Sequence, residues 1–117
     1  MVFHEADLRD FQSILRFSRD KRIDAIIHLA GYKSVEESIS DPVTYFDNNL
    51  IPTINLCQLV EELQVKRFLF SSSATVYGNP LQMPIDESFS TASPLSPYAE
   101  SKVFNEMILK SLQTLWS

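Results

Sequence analysis

Arg67-Phe-Leu-Phe-Ser-Ser-Ser-Ala-Thr-Val-Tyr-Gly78 is the stretch on which the reading of this chain turns. Its first residues are apolar and aromatic in strand style, and they run straight into three hydroxyl side chains. Ala25-Ile-Ile-His-Leu29, earlier in the chain, is a second short apolar run with β-branched residues. Such runs predict strands buried on both faces, as in a parallel sheet. Helical patterns lie before, between and after them, and strand–helix–strand–helix order implies parallel strands with right-handed crossovers. The fold class read from this pattern is α/β.

Working outward, Val2–Glu5 predicts a further short strand, and Asp7 a helix N-cap before Leu8, Phe11, Ile14 and Leu15. A weak helical turn is expected over Val35–Ile39, and a long helix from Pro42 to about Gln64. Phe46, Leu50, Ile54 and Cys57 fill one stripe of it, Ile51, Leu56, Leu59 and Leu63 widen the apolar surface so that two sides are expected to be covered, and Pro52 is expected to kink or interrupt it. Residues 79–97 read as a long loop with four prolines. Pro97 is placed as the first residue of a last helix that turns Phe104, Met107, Ile108, Leu112 and Leu115 inward.

Tyr98 and Lys102 open that helix four residues apart, so both can point at one spot. A phenol is a poor base at its free pKa of ~10. A cation near its oxygen favours the phenolate, which can then take a proton from an alcohol. Ser73 supplies a hydroxyl at a strand's end, where open α/β sheets place their ligands. Ser71 and Ser72 read as turn residues, His28 as a hydrogen-bonded core histidine, and Cys57 as a core thiol.

Composition narrows the function classes. The chain has 117 residues, 44% hydrophobic and 21% charged, which is ordinary for one small globular domain. A net charge of −5 argues against a nucleic-acid surface. No apolar run approaches the ~20 residues that span a bilayer, so no membrane partner is expected, and a cytoplasmic setting is. No His, Cys and Asp cluster has metal spacing, and no metal is expected. The scarcest residue says most. The two glycines, Gly31 and Gly78, stand far apart, whereas a dinucleotide-binding turn needs a cluster so that backbone can approach pyrophosphate.

His28-Leu-Ala-Gly-Tyr-Lys-Ser-Val35, Tyr45-Phe-Asp-Asn-Asn49, Ser71-Ser-Ser-Ala-Thr-Val-Tyr-Gly78 and Tyr98-Ala-Glu-Ser-Lys102, in that order, resemble the UDP-glucose 4-epimerase family of the extended short-chain dehydrogenase/reductase superfamily. Related dehydratases place an Asp-Glu pair after the catalytic hydroxyl. Ala74 and Thr75 stand there instead, which favours the epimerase branch. The resemblance implies one incomplete NAD-binding domain over residues 1–117: a partial Rossmann-like, doubly wound parallel sheet without its first two strands and without the substrate lobe. It implies Tyr98 as catalytic base, Lys102 as the residue that binds the nicotinamide ribose and favours the phenolate, and Ser73 as the hydroxyl between substrate and base. Asp7 and Leu8 would meet the adenine, Leu29, Ala30, Gly31 and Lys33 would lie along NAD, and Asn48 would join them. Ser73 and Tyr98 would touch a UDP-sugar.

The family's strand order puts the two missing strands between Val2–Glu5 and Ala25–Leu29, leaving the first without neighbours. The resemblance also implies a homodimer through helices 42–64 and 97–115. Three readings follow: the catalytic stretch of a UDP-glucose 4-epimerase or of a related nucleotide-sugar epimerase; a remnant that alone cannot hold NAD; and a module that dimerises.

Overall fold

A computed structural model describes residues 1–91 and 93–116. In chain order the elements are α1 (Phe11–Ser18), β1 (Ala25–His28), α2 (Val35–Ser40), α3 (Pro42–Leu63), β2 (Arg67–Phe70), a 3-10 turn (Ala74–Tyr77) and α4 (Pro97–Trp116). β1 and β2 pair in parallel, Ala25 opposite Arg67 and His28 opposite Phe70. The chain divides into two compact units. One holds residues 1–30 and 51–71; the other holds residues 31–50 and 72–117.

In the first unit, Ile14 and Leu15 of α1 meet Leu56 and Leu59 of α3, with Ile26 of β1 and Phe68 of β2 packed against them. Asp10 caps α1 by accepting from the Ser13 amide. Asp7, expected as the cap, instead closes a turn one step earlier, its carbonyl taking the Asp10 amide. α3 ends where Gln64 turns to a φ of 51° and the Val65 amide reaches back to the Val60 carbonyl. This is the left-handed closure that satisfies the last carbonyls of a helix.

Two further expectations fail in this unit. Val2–Glu5 forms no strand, because a strand exists only through neighbours and the sheet contains β1 and β2 alone among the described residues. β1 is not buried on both faces: Ile26 and His28 turn toward the helices, while Ile27 is 63% exposed. Leu69 of β2 is 59% exposed beside it, so one face of the ribbon is bare. α3 is a single helix with Pro52 inside it, so the proline does not interrupt it, although it adds no donor to the ladder.

The second unit is held by polar contacts. α4 packs against α2 and against the 3-10 turn. Its start follows the sequence closely: Ser96 accepts from the Ala99 amide at 3.1 Å, and Pro97 sits where a missing N–H costs nothing. Gly78, which ends the 3-10 turn, has a φ of 60°, and a Cβ there would lie 2.2 Å from the Ser93 carbonyl oxygen. Only glycine fits.

Both long helices bury polar residues beside apolar ones. In α3 the buried residues include Tyr45, Asn49, Thr53 and Cys57, at intervals of four, as well as Leu56, Leu59 and Val60, while Ile54 is exposed. In α4 the buried side holds Tyr98, Ser101, Lys102 and Asn105, whereas Phe104, Met107 and Leu115 are exposed. Hydrogen bonding explains the polar burial in α3: Tyr45, Asn49 and Thr53 each make a buried or half-buried hydrogen bond, so their burial carries little penalty. No described helix is long and apolar enough to cross a membrane.

Candidate functional site

The chemistry-bearing groups gather at the start of α4. Tyr98 and Lys102 are both buried, at 9% and 7% exposure. The Lys102 ammonium stands 5.8 Å from the centre of the Tyr98 ring, as the four-residue spacing requires. Burial pulls the Lys102 pKa below its ordinary 10.5. The unfolded chain therefore holds that proton more tightly, and between the lowered folded value and 10.5 stability rises with pH. Lys102→Met is expected to flatten this rise when urea midpoints are compared at pH 8 and pH 10. An unchanged pH slope would show that Lys102 is not the buried cation described.

Ser73 has extended backbone and caps the 3-10 turn that packs on α4, its hydroxyl 2.9 Å from that of Thr75 and 3.3 Å from the Thr75 amide. Ser71 continues the ribbon by donating its amide to the His28 carbonyl, and Ser72 hydrogen-bonds Glu106. Gly31 and Lys33 follow β1 in the loop that Asn49 holds. Gly31 has a φ of 153°, and a Cβ on it would stand 3.0 Å from Asn49 Oδ1. Lys33 is exposed. Asn48 turns back along α3 and donates to the Thr44 carbonyl at 2.9 Å.

The other candidates lie in the first unit. Leu29 and Ala30 are exposed at the end of β1. Asp7 is clasped by Arg9 through backbone and guanidinium, 2.7 Å at the nearest, which brings its pKa down to about 2. Leu8 is fixed through its carbonyl, which accepts from Asn55 at 2.8 Å. His28, 3% exposed, shares a hydrogen bond with Thr53 through Nε2 at 3.1 Å, as a hydrogen-bonded core histidine does. The Cys57 thiol is pushed up to about 11 by burial and by Glu61, so it is inert at neutral pH. Among the described residues no group of three His, Cys, Asp or Glu could hold a metal ion.

Sequence reasoning passed over the polar groups that organise this region. Asn49 is 2% exposed; its Oδ1 accepts the Tyr32 amide at 2.7 Å, and its Nδ2 donates to the Tyr32 carbonyl and to Ser101 Oγ, each at 3.0 Å. Asn105 of α4 donates to the Asn49 carbonyl at 2.9 Å. Tyr45, 1% exposed, accepts the Ser34 amide and donates to Glu37 Oε2 at 2.9 Å. Burial with Glu37 alongside raises its pKa. The available signal was polar residues recurring every four positions in α3, which an apolar count discards.

Known proteins resemble this arrangement across its whole extent. Residues 1–116 match the family described as GDP-mannose 4,6 dehydratase. A UDP-glucose 4-epimerase of Bacillus subtilis (strain 168) is 43% identical over 97% of this chain, and one of Cyamopsis tetragonoloba is 45% identical over 95%. A crystal structure of UDP-glucose 4-epimerase from Bifidobacterium longum, in complex with NAD+ and UDP, superposes with a TM-score of 0.92 at 41% identity. It is matched over 96% of this chain and 33% of its own. The chain spans about a third of the length of the curated relatives it matches, 33% and 31% for the two above.

Proposed function

This chain belongs to the GDP-mannose 4,6 dehydratase family, a fold of α/β type seen in nucleotide-sugar epimerases, and from that premise we propose that it is the catalytic stretch of a UDP-glucose 4-epimerase. The observation that carries the reading is the buried Tyr98–Lys102 pair at the head of α4. The match of the whole chain to epimerases at 43–45% identity supports it. The reaction is interconversion of UDP-glucose and UDP-galactose, as in galactose metabolism.

In this reading Tyr98 takes the proton of the sugar 4-hydroxyl through its phenol oxygen and later returns it. Lys102 supplies the cation that favours the phenolate and holds the nicotinamide ribose. Ser73 hydrogen-bonds the reacting hydroxyl and keeps it in line with Tyr98. NAD, when bound, accepts hydride from carbon 4 and gives it back. Leu29, Ala30, Gly31 and Lys33 would lie along it, with Asn48 beside them and Asp7 and Leu8 toward the adenine. The residues present that would face its nicotinamide half are the buried Tyr98 and Lys102, while Gly31 lets its loop pass close to Asn49, whose Oδ1 would stand 3.0 Å from a Cβ there. Pairing through the exposed Phe104 and Met107 side of α4, together with α3, would give the dimer. Residues 1–117 are then part of one NAD-binding domain, in a cytoplasmic enzyme.

The direct test is conversion of UDP-galactose to UDP-glucose by the full-length protein that carries this stretch. Conversion is expected with NAD retained on purification; a folded, NAD-loaded protein without it would overturn the reading. The 117 residues alone are a separate matter. Pyrophosphate is gripped by amides of a glycine turn at a helix N-terminus, and the two glycines here lie 47 positions apart, at 31 and 78. Calorimetric titration of the 117-residue polypeptide with NAD is therefore expected to give no binding tighter than the millimolar range. Micromolar affinity would exclude the remnant reading.

A further inference from the structure

We propose that Ser101 is a positioning residue that ties the candidate base Tyr98 to the loop after β1 through Asn49. The proposal rests on the reading of Tyr98 given above. Ser101 is completely buried, at 0% exposure. Its hydroxyl accepts from Asn49 Nδ2 at 3.0 Å and donates to the Tyr98 carbonyl at 2.7 Å. Asn49 in turn holds both polar groups of the Tyr32 peptide, at 2.7 and 3.0 Å. A chain of hydrogen bonds thus runs Tyr32–Asn49–Ser101–Tyr98, from the Gly31–Lys33 loop to the backbone of the phenol-bearing residue.

A serine that merely bonds the carbonyl three residues back is common in helices and carries no such meaning. Thr114, also in α4, makes that bond to the Ser111 carbonyl at 3.2 Å on an exposed surface. Ser101 differs because its acceptor side is taken by a second, buried helix. Asn105, 1% exposed, secures the same place by donating to the Asn49 carbonyl, so the relay cannot slide along α3. A loop that carries one half of a site and a turn that carries the other are kept in register by two side chains. Preorganisation of this kind fixes reacting groups to fractions of an ångström.

The test needs no catalysis, so its failure and that of the functional reading are separable. Amide exchange of Tyr32 would be followed by NMR in the full chain, with the α3 amide of Val60 as reference. Ser101→Ala is expected to speed Tyr32 exchange about tenfold, the loss of roughly one hydrogen bond, with Val60 unchanged. The ¹³Cζ resonance of Tyr98, assigned with Tyr98→Phe, is expected to move as well. Ser101→Cys keeps the volume while weakening both bonds and should act like alanine; Thr114→Ala should alter neither signal. Unchanged Tyr32 exchange in Ser101→Ala would overturn the proposal. So would equal acceleration of Tyr32 and Val60, which marks general loosening, or a Tyr98 resonance that stays in place.

Discussion

Tyr98→Phe is expected to lower epimerisation by the full-length enzyme about 10²–10⁴-fold, the usual contribution of a positioned proton-transfer group. The loss should fall on kcat, since the phenol oxygen acts on the 4-hydroxyl as its proton leaves and adds little to ground-state binding. NAD content after purification should be unchanged, because removing one oxygen leaves the ring and the Lys102 ammonium near it, 5.8 Å from the ring centre, in place. Turnover assays with UDP-galactose, paired with absorbance of the released cofactor, check both halves. Retained turnover would remove Tyr98 from the role of base. Loss of turnover together with loss of NAD would instead assign the phenol to cofactor binding.

The second large effect concerns stability. Asn49→Leu keeps the approximate shape of a side chain that is 2% exposed and deletes its bonds to the Tyr32 amide, the Tyr32 carbonyl and Ser101. Ser101, at 0% exposure, then loses its buried donor, and the Tyr32 peptide is left facing a methyl group. Groups abandoned in this way cost about 1–3 kcal/mol each where water cannot replace the partner. Tyr32 is 45% exposed, which permits water to recover part of that loss. A net loss of about 2–3 kcal/mol is expected, read as a fall of about 1–2 M in the urea midpoint. A fall below about 0.3 M would show that the polar seam is replaceable by apolar packing.

The sequence made some of this legible and hid the rest for identifiable reasons. The β1–β2 pair and the start of α4 were readable because their signals are local: β-branched and aromatic runs, and a Ser-Pro step that caps a helix and fills its first position. The Tyr98–Lys102 proximity was readable because helix geometry puts residues four apart on one face. Val2–Glu5 was misread because strand formation depends on neighbours, which no local pattern reveals. The polar burial in α3 and α4 was missed because Tyr45, Asn49, Ser101 and Asn105 look like surface residues until their partners are known. Polar burial is decided by tertiary contacts, and those lie 8 to 56 positions apart here.

The bare side of the β1–β2 ribbon has a consequence for how the chain behaves in solution. His28 directs its backbone carbonyl to Ser71 of the extended segment after β2. Successive peptide groups along a strand alternate in direction, so Ile27 turns its own toward the outer edge. Exposed Ile27 flanks that edge, and Leu69 lies opposite it on the same bare face, which makes the edge a template on which another extended chain can grow. The 117 residues in isolation are therefore expected to self-associate as their concentration rises, whereas a further strand paired along that edge would close it.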